Sequence, residues 1–313
     1  MLSEKKTWVH LKKLMHRLHL DETALDLFAR RPGSSFYTRL SFIDRATMKK
    51  DGEEAGYRPR QVIEICGASD TPKIQVLEHV IASFVTKSCL STRKMPKERV
   101  FIFDHECQVS ATRMAAIVTR RLDDHEQEEA VDEVLSRVQT CNCRDSFQWL
   151  ASLNHVHFML LEAPSTPLML VFNCVGSFHA IDRMAARSVG DGLALSEQVF
   201  LFLRQFIQHH SPIVFAAKDI AKNTRNPWEH TEYLPSSWTS QVTKRILLRT
   251  PSPLCSASNL KVEKKCTLDE EGSDMYASFE AKCIVAGKSQ VYVCRTEGGS
   301  IFSSLVDSKH DVI

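Results

Sequence analysis

Between an apolar run and an amphipathic stretch lie eight residues, Gly67-Ala68-Ser69-Asp70-Thr71-Pro72-Lys73-Ile74, with the length and placement of a turn that grips phosphate. Such a turn, GxxxxGK[ST], works through backbone N–H groups that cradle the phosphates, a lysine that neutralises them and a hydroxyl that holds Mg²⁺. Gly67, Thr71 and Lys73 stand at usable positions. Pro72 occupies the second glycine position, which removes an N–H donor and restricts the φ that a nest of amides requires. Ile74 places hydrocarbon where the metal's hydroxyl ligand belongs. Downstream, the apolar run Leu168-Met169-Leu170-Val171-Phe172 ends in Asn173, a neutral amide where a metal-positioning carboxylate is expected. The run ending at Asp104 is followed by His105 and Glu106, a carboxylate at the end of a second strand. On the octet alone an ordinary turn between strand and helix is an equal reading, because two matches of four make a weak pattern.

Other residues offer other chemistry. Asp70 and Asp104 are candidate substitutes for the lost metal ligand. Cys141-Asn142-Cys143 and His155-Val156-His157 supply thiolates and imidazoles, the ligands zinc prefers. Two residues apart on a helix, the histidines point to different sides, so core and surface positions explain them better than a metal does. His105, His209 and His210 take no role on this reading.

The elements that must hold these residues are legible from periodicity. A chain of 313 residues with 43% apolar content can bury a full core. Lys+Arg 40 against Asp+Glu 38 leaves a formal charge of +2, so any nucleic-acid footprint must be local. Ten scattered cysteines read as free thiols in a reducing compartment. No apolar run has the roughly 20 residues of a membrane span, and no signal core opens the chain. Near the start, Trp8, Leu11, Met15 and Leu18 recur at helical spacing among Lys5, Lys6, Lys12, Lys13 and Arg17. A basic amphipathic helix is predicted there, docked on the core or a partner, with a presequence and a DNA-contacting arm as the other readings. Residues 21–42 continue as helix and loop, and 48–59 as an exposed linker. Strands are predicted at 62–66, 100–104, 138–141, 168–174 and 213–217, and helices at 74–88, 110–122, 145–161 and 195–209. Late strands at 244–248, 275–281 and 290–294 follow, with a charged loop at 261–274.

The segments Val62–Lys73, Phe101–Glu106, Leu168–Phe178 with Ile181-Asp182-Arg183, and Trp238–Leu248 resemble, in that order, the eukaryotic RecA-family recombinase paralogues. Ser177-Phe178-His179-Ala180-Ile181-Asp182-Arg183 and Trp238…Arg245 carry more of the resemblance than the altered octet. It implies an α/β fold: a RecA-like P-loop NTPase core, its mostly parallel twisted sheet flanked by helices, with a short helical N-terminal extension. Residues 1–58 would be that extension and its linker, 59–250 the core with a degenerate nucleotide site, and 251–313 strands and a charged loop completing it. Lys73 then matches the P-loop lysine, Glu106 the carboxylate that orients water, and Asn173 the metal-site aspartate in altered form. Lys218 and Asp219 replace an Asn-Gln pair that senses the γ-phosphate. Loops over 183–193 and 219–237, carrying Arg183, Arg187, Lys222, Arg225 and Trp228, would face DNA, although acidic neighbours make solvated loops the competing reading.

The resemblance implies a non-catalytic nuclear protein of homologous recombination that needs no cofactor, ATP being at most a weak ligand. It would assemble with other paralogues and the main recombinase, meet single-stranded DNA through that hetero-oligomer, and have no membrane contact. The alternatives are an active DNA-dependent ATPase with a substituted metal ligand, and a pure scaffold that never touches DNA.

Overall fold

The structure is a computed structural model that describes residues 35–49, 52, 55–87, 89, 97–122, 127–161, 166–189, 193–221, 228–251, 278–285, 287–297 and 299–306. Six parallel strands make its centre: β1 (Val62–Gly67), β2 (Arg99–Asp104), β3 (Val138–Cys141), β4 (Leu168–Asn173), β5 (Ile213–Asp219) and β6 (Lys244–Arg249). They lie in the order β3-β2-β4-β5-β1-β6, every neighbouring pair parallel. Three antiparallel strands, β7 (Ser278–Val285), β8 (Lys288–Glu297) and β9 (Ser300–Leu305), extend the sheet from β6.

Parallel strands require crossovers, and helices supply them. α1 (Lys73–Val85) follows β1; α2 (Ala111–Thr119) and α3 (Gln127–Leu135) follow β2; α4 (Ser146–Leu161) follows β3; α5 (His179–Val189) and α6 (Leu195–His210) follow β4. The period of two in β1 divides the core into two layers. Ile63 and Ile65 pack with Val76, Val80 and Phe84 of α1 and with Met114 and Val118 of α2. Val62, on the opposite face, packs with Trp149 and Leu153 of α4 and Val199, Phe200 and Leu203 of α6. β1 and β4 are buried along their whole length, so both read as continuous apolar runs rather than alternating ones. Each fully buried Val, Ile or Phe contributes about 1.5–3 kcal/mol relative to exposure.

The α/β fold with a mostly parallel sheet flanked by helices is thus observed. One expectation needs correcting. Residues 48–59 are not a free linker: Tyr57 is fully buried, pairs backbone to backbone with Phe36, and donates its hydroxyl to the Ile43 carbonyl at 2.7 Å. Phe36, Phe42 and Ile43 join the first core layer, where Phe36 meets Phe84 edge to face. The basic helix predicted near the start and the charged loop at 261–274 lie outside the described residues.

Register brings four strand ends together at the carboxyl edge of the sheet. Gly67 pairs with Asp219, and Asp104 with Asn173. In a parallel sheet this edge is where ligands bind.

Candidate functional site

The turn leaving β1 is closed by its own side chains. Thr71 donates both its N–H and its hydroxyl to the Ala68 carbonyl, at 3.0 and 2.7 Å. Its Oγ1 sits so close over Gly67 that any Cβ there would overlap it. Glycine at 67 is therefore required by a close approach, not by a positive φ. Pro72 caps α1 without a side-chain hydrogen bond, and Ile74 packs partly into the first core layer.

Lys73 is 5% exposed and turned back on the loop. Its ammonium donates to the Gly67 carbonyl at 3.1 Å, the Ala68 carbonyl at 2.6 Å and Thr71 Oγ1 at 3.3 Å, and pairs with Asp219 Oδ1 at 2.8 Å. Four oxygens compete for three N–H bonds. The charge that a bound phosphate would need is already met by Asp219, a residue placed there by the β1–β5 register.

Asn173, expected at a metal-site position, makes a hydrogen bond within the sheet edge. Its Nδ2 donates to Asp104 Oδ1 at 2.6 Å, with both residues buried. Asp104 also accepts from the N–H of Glu106 at 3.3 Å and, through Oδ2, from that of Val109 at 2.9 Å, which ties down the turn after β2. An aspartate at 173 would set two carboxylates at this distance, so the amide suits the pair. Glu106 itself is exposed, with the Ser177 hydroxyl at 3.5 Å from Oε1. His105 is wedged between Trp149 and Phe178, ring centroids 4.6 and 4.9 Å away, and burial pushes its pKa down to about 4 against the opposing pull of the Cys174 carbonyl and Asp104. It is a neutral packing residue.

Glu106, Cys174 and Asp219 present ligand atoms near one another. Burial raises the Cys174 thiol to about 12, and Asp219 is committed to Lys73, so the trio is a poor cation ligand set at neutral pH. With Pro72, Ile74 and Asn173 in place, the residues do not fit Mg²⁺ or a nucleoside triphosphate. The substitute ligand considered at Asp104 is likewise engaged by three donors.

A second charged constellation, not anticipated from the sequence, occupies the same edge. Glu64 and Lys218 are both fully buried, 3.3 Å apart. Glu64 accepts from Trp238 Nε1 at 2.7 Å and Arg245 Nε at 2.5 Å, while Lys218 reaches both oxygens of Glu232 at 2.8 and 2.9 Å. Arg245 Nη2 closes the ring on Glu232 at 2.9 Å. Two acids and two bases cancel. Burial alone would raise the Glu64 pKa, but Lys218, the Trp238 donor and Arg245 together hold it below its ordinary value. Cys66 and His230 also border Glu64, yet burial raises the thiol and the two cations stand where a metal would, so this group does not fit a metal either. One signal in the sequence was available: a carboxylate inside the apolar run Val62-Ile63-Glu64-Ile65-Cys66 needs a buried partner.

Of the residues predicted to face DNA, Arg183, Arg187 and Trp228 lie among the described residues. Arg183 is exposed and Arg187 follows it, but both lie on α5, so the stretch expected as a loop is helical as far as Val189. Asp182 anchors that helix by accepting from the Ser146 hydroxyl at 2.6 Å and the Ser196 N–H at 3.0 Å. Trp228 is half-buried, with the Arg249 guanidinium 4.1 Å from its ring centroid and Lys282 at 5.7 Å. Lys222 and Arg225 lie outside the described residues. The sulfurs and imidazoles considered for zinc do not meet: Cys143 is buried beside Ser152, His155 is exposed, and His157 Nδ1 lies 2.8 Å from His210 Nε2.

No known protein-family profile matches this sequence. Among curated proteins it is similar to the DNA repair protein XRCC2 of Mus musculus, 24% identical over 205 residues that span 59% of this chain and 71% of that protein. The mostly parallel sheet in the order β3-β2-β4-β5-β1-β6, with helices flanking it, is consistent with a RecA-like core, and the chain resembles a recombinase paralogue of the XRCC2 kind.

Proposed function

We propose that this protein acts in DNA repair by homologous recombination as a non-catalytic paralogue, contributing by association rather than by nucleotide turnover. One observation carries the reading: the Lys73 ammonium, which a working phosphate loop keeps for its ligand, is held by Asp219 and by three oxygens of the loop itself. Asn173 supports it, since its amide donates to Asp104 instead of binding a metal. The similarity to a DNA repair protein supplies the process. On this reading the protein works in the nucleus within a hetero-oligomer of recombinase paralogues, and helps load or hold recombinase on single-stranded DNA. Gly67, Thr71, Pro72, Lys73 and Ile74 are then a vestigial nucleotide loop, with Glu106 and Asn173 vestigial catalytic positions.

The test is affinity purification of the tagged chain from cells, followed by mass spectrometry and a turnover assay on the eluted complex. A recombinase or one of its paralogues should dominate the eluate. The assembly's ATP turnover, with or without single-stranded DNA, should be unchanged when this chain carries Lys73→Ala. An eluate without any recombinase relative, or turnover that falls with Lys73→Ala, contradicts the proposal.

A further inference from the structure

At the other ends of the strands, three arginines lie near one turn of α1, Arg121 half-buried and Arg39 and Arg120 exposed. Arg121, just past the end of α2, is half-buried and donates to the Ser83 hydroxyl. That hydroxyl has the carbonyls of Thr38 at 2.5 Å and His79 at 2.9 Å as alternative acceptors for its single O–H, and Arg39, next to Thr38, is a neighbouring charge that acts on Arg121. Arg120 lies against Gly299, between β8 and β9, where any Cβ would overlap its guanidinium. Gly299 also has a left-handed φ of 69°, which independently favours glycine. The His79 ring is hydrogen-bonded to the Gly299 backbone. His79 and Ser83 are one helical turn apart, roughly 5–6 Å, so the side chains seated over them share one small area.

The local backbone is fixed for this arrangement. Arg39 holds a left-handed φ of 62°, uncommon for a bulky residue, and its N–H donates to Asp44 Oδ2 at 2.9 Å. Among the described residues no carboxylate forms an ion pair with Arg39, Arg120 or Arg121. Instead the cations oppose one another. Burial and the neighbouring Arg39 push the Arg121 pKa down to about 10, and burial together with Arg121 and Arg120 pushes His79 down to about 4. The carbonyl ends of α1 and α2 offset only part of this, a helix end carrying about half a charge. A half-buried guanidinium facing like charge is a position that an anion stabilises.

We propose that Arg39, Arg120 and Arg121 form a binding site for a phosphate group, inorganic or monoester. Guanidiniums drawn from two segments, Arg39 and the adjacent pair Arg120 and Arg121, around one turn of helix suit a compact tetrahedral anion rather than the extended backbone of a nucleic acid, which calls for a stripe of cations. The site lies at the opposite ends of the strands from Lys73 and is independent of the nucleotide reading.

The experiment is titration calorimetry on the full chain in phosphate-free buffer, with inorganic phosphate and O-phosphoserine as probes, beside a thermal melt. Wild type should give saturable heat, at least about tenfold weaker in the double variant Arg39→Gln/Arg120→Gln and unchanged in Lys73→Ala. Tighter binding of O-phosphoserine assigns the site to a phosphorylated side chain; equal or weaker binding assigns it to the free ion. Without phosphate, Arg39→Gln should raise the Tm, because it relieves repulsion, and added phosphate should then raise it less than in wild type. Gly299→Ala, which displaces Arg120, should weaken phosphate binding while Arg39 and Arg121 remain. Equal heats in wild type and the double variant overturn the proposal, as does a Tm lowered by Arg39→Gln in phosphate-free buffer. It also fails if phosphate gives no saturable heat while fluorescence anisotropy of labelled oligo-dT loses its rise in the double variant, which would make these arginines a nucleic-acid contact.

Discussion

At the scale of single residues, the altered positions after β1 and β4 act together. Asp219 gives Lys73 the negative charge that a phosphate would bring. Asp219→Asn removes it, at a cost of about 1 kcal/mol because the carboxylate is partly exposed. Calorimetry with Mg-ATP should still show no saturable heat in this variant, because Pro72, Ile74 and Asn173 remain. Asn173→Asp, read naively as repairing the metal site, should instead destabilise the fold by about 2–4 kcal/mol at neutral pH, since the new carboxylate meets Asp104 Oδ1 at the 2.6 Å now bridged by the amide. Denaturant melts should show that penalty easing in acid, where the pair can share a proton. His105 carries a pH signature of its own. Its folded pKa of about 4 lies below the ordinary 6.5, so the unfolded chain takes up the proton first. Stability is full above 6.5 and declines as pH falls from 6.5 to 4, by on the order of 3 kcal/mol for this residue. Replacing His105 with Gln should flatten that part of a Tm-against-pH curve.

At the scale of elements, strands announced themselves and polar helices did not. β1, β2, β4 and β5 are mostly apolar runs, broken by charged residues such as Glu64 and Lys218, because helices cover both of their faces, and their predicted limits fall within two residues of the observed ones. α3 was missed because Gln127–Leu135 is mostly acidic and polar, with Val131 and Val134 buried in the core and Leu135 packed against it. β9 was missed because Ser300–Leu305 is a serine-rich edge strand with no fully buried residue, Ile301 packing only partly against the core. The turn after β1 could be located from the sequence as a strand-to-helix turn, since Gly67, Pro72, Lys73 and Ile74 lie close together in the chain. Its closure by Asp219 could not, because register alone brings residue 219 beside 67. The ring of Glu64, Lys218, Glu232 and Arg245 was hidden for the same reason, Glu64 and Arg245 being 181 positions apart. That ring fastens the segment around Glu232 and Trp238 to the sheet. Glu64→Gln should cost about 3–5 kcal/mol, the range for breaking a buried ion pair, and should free Trp238, seen as a red-shifted and more quenchable fluorescence. Because the Glu64 pKa is lowered, its contribution is full above 4.5 and lost as pH falls through the lowered value, so the substitution should also blunt acid unfolding.

At the scale of the molecule, the antiparallel strands after β6 are part of the core. Phe279, Ala281, Cys283, Val285, Tyr292 and Cys294 belong to the layer that holds Ile63, Ile65 and α1, and Phe279 meets Phe42 edge to face. A chain ending at residue 251 should therefore be recovered insoluble, with β6 left as a bare edge. A RecA-like sheet thus retains its frame, while the residues at its carboxyl edge satisfy one another. The most direct test is calorimetric titration of the full chain with Mg-ATP, beside the Lys73→Ala variant. The account predicts no saturable heat attributable to Lys73, with wild type and variant giving the same trace. Micromolar binding in wild type that Lys73→Ala abolishes would contradict it.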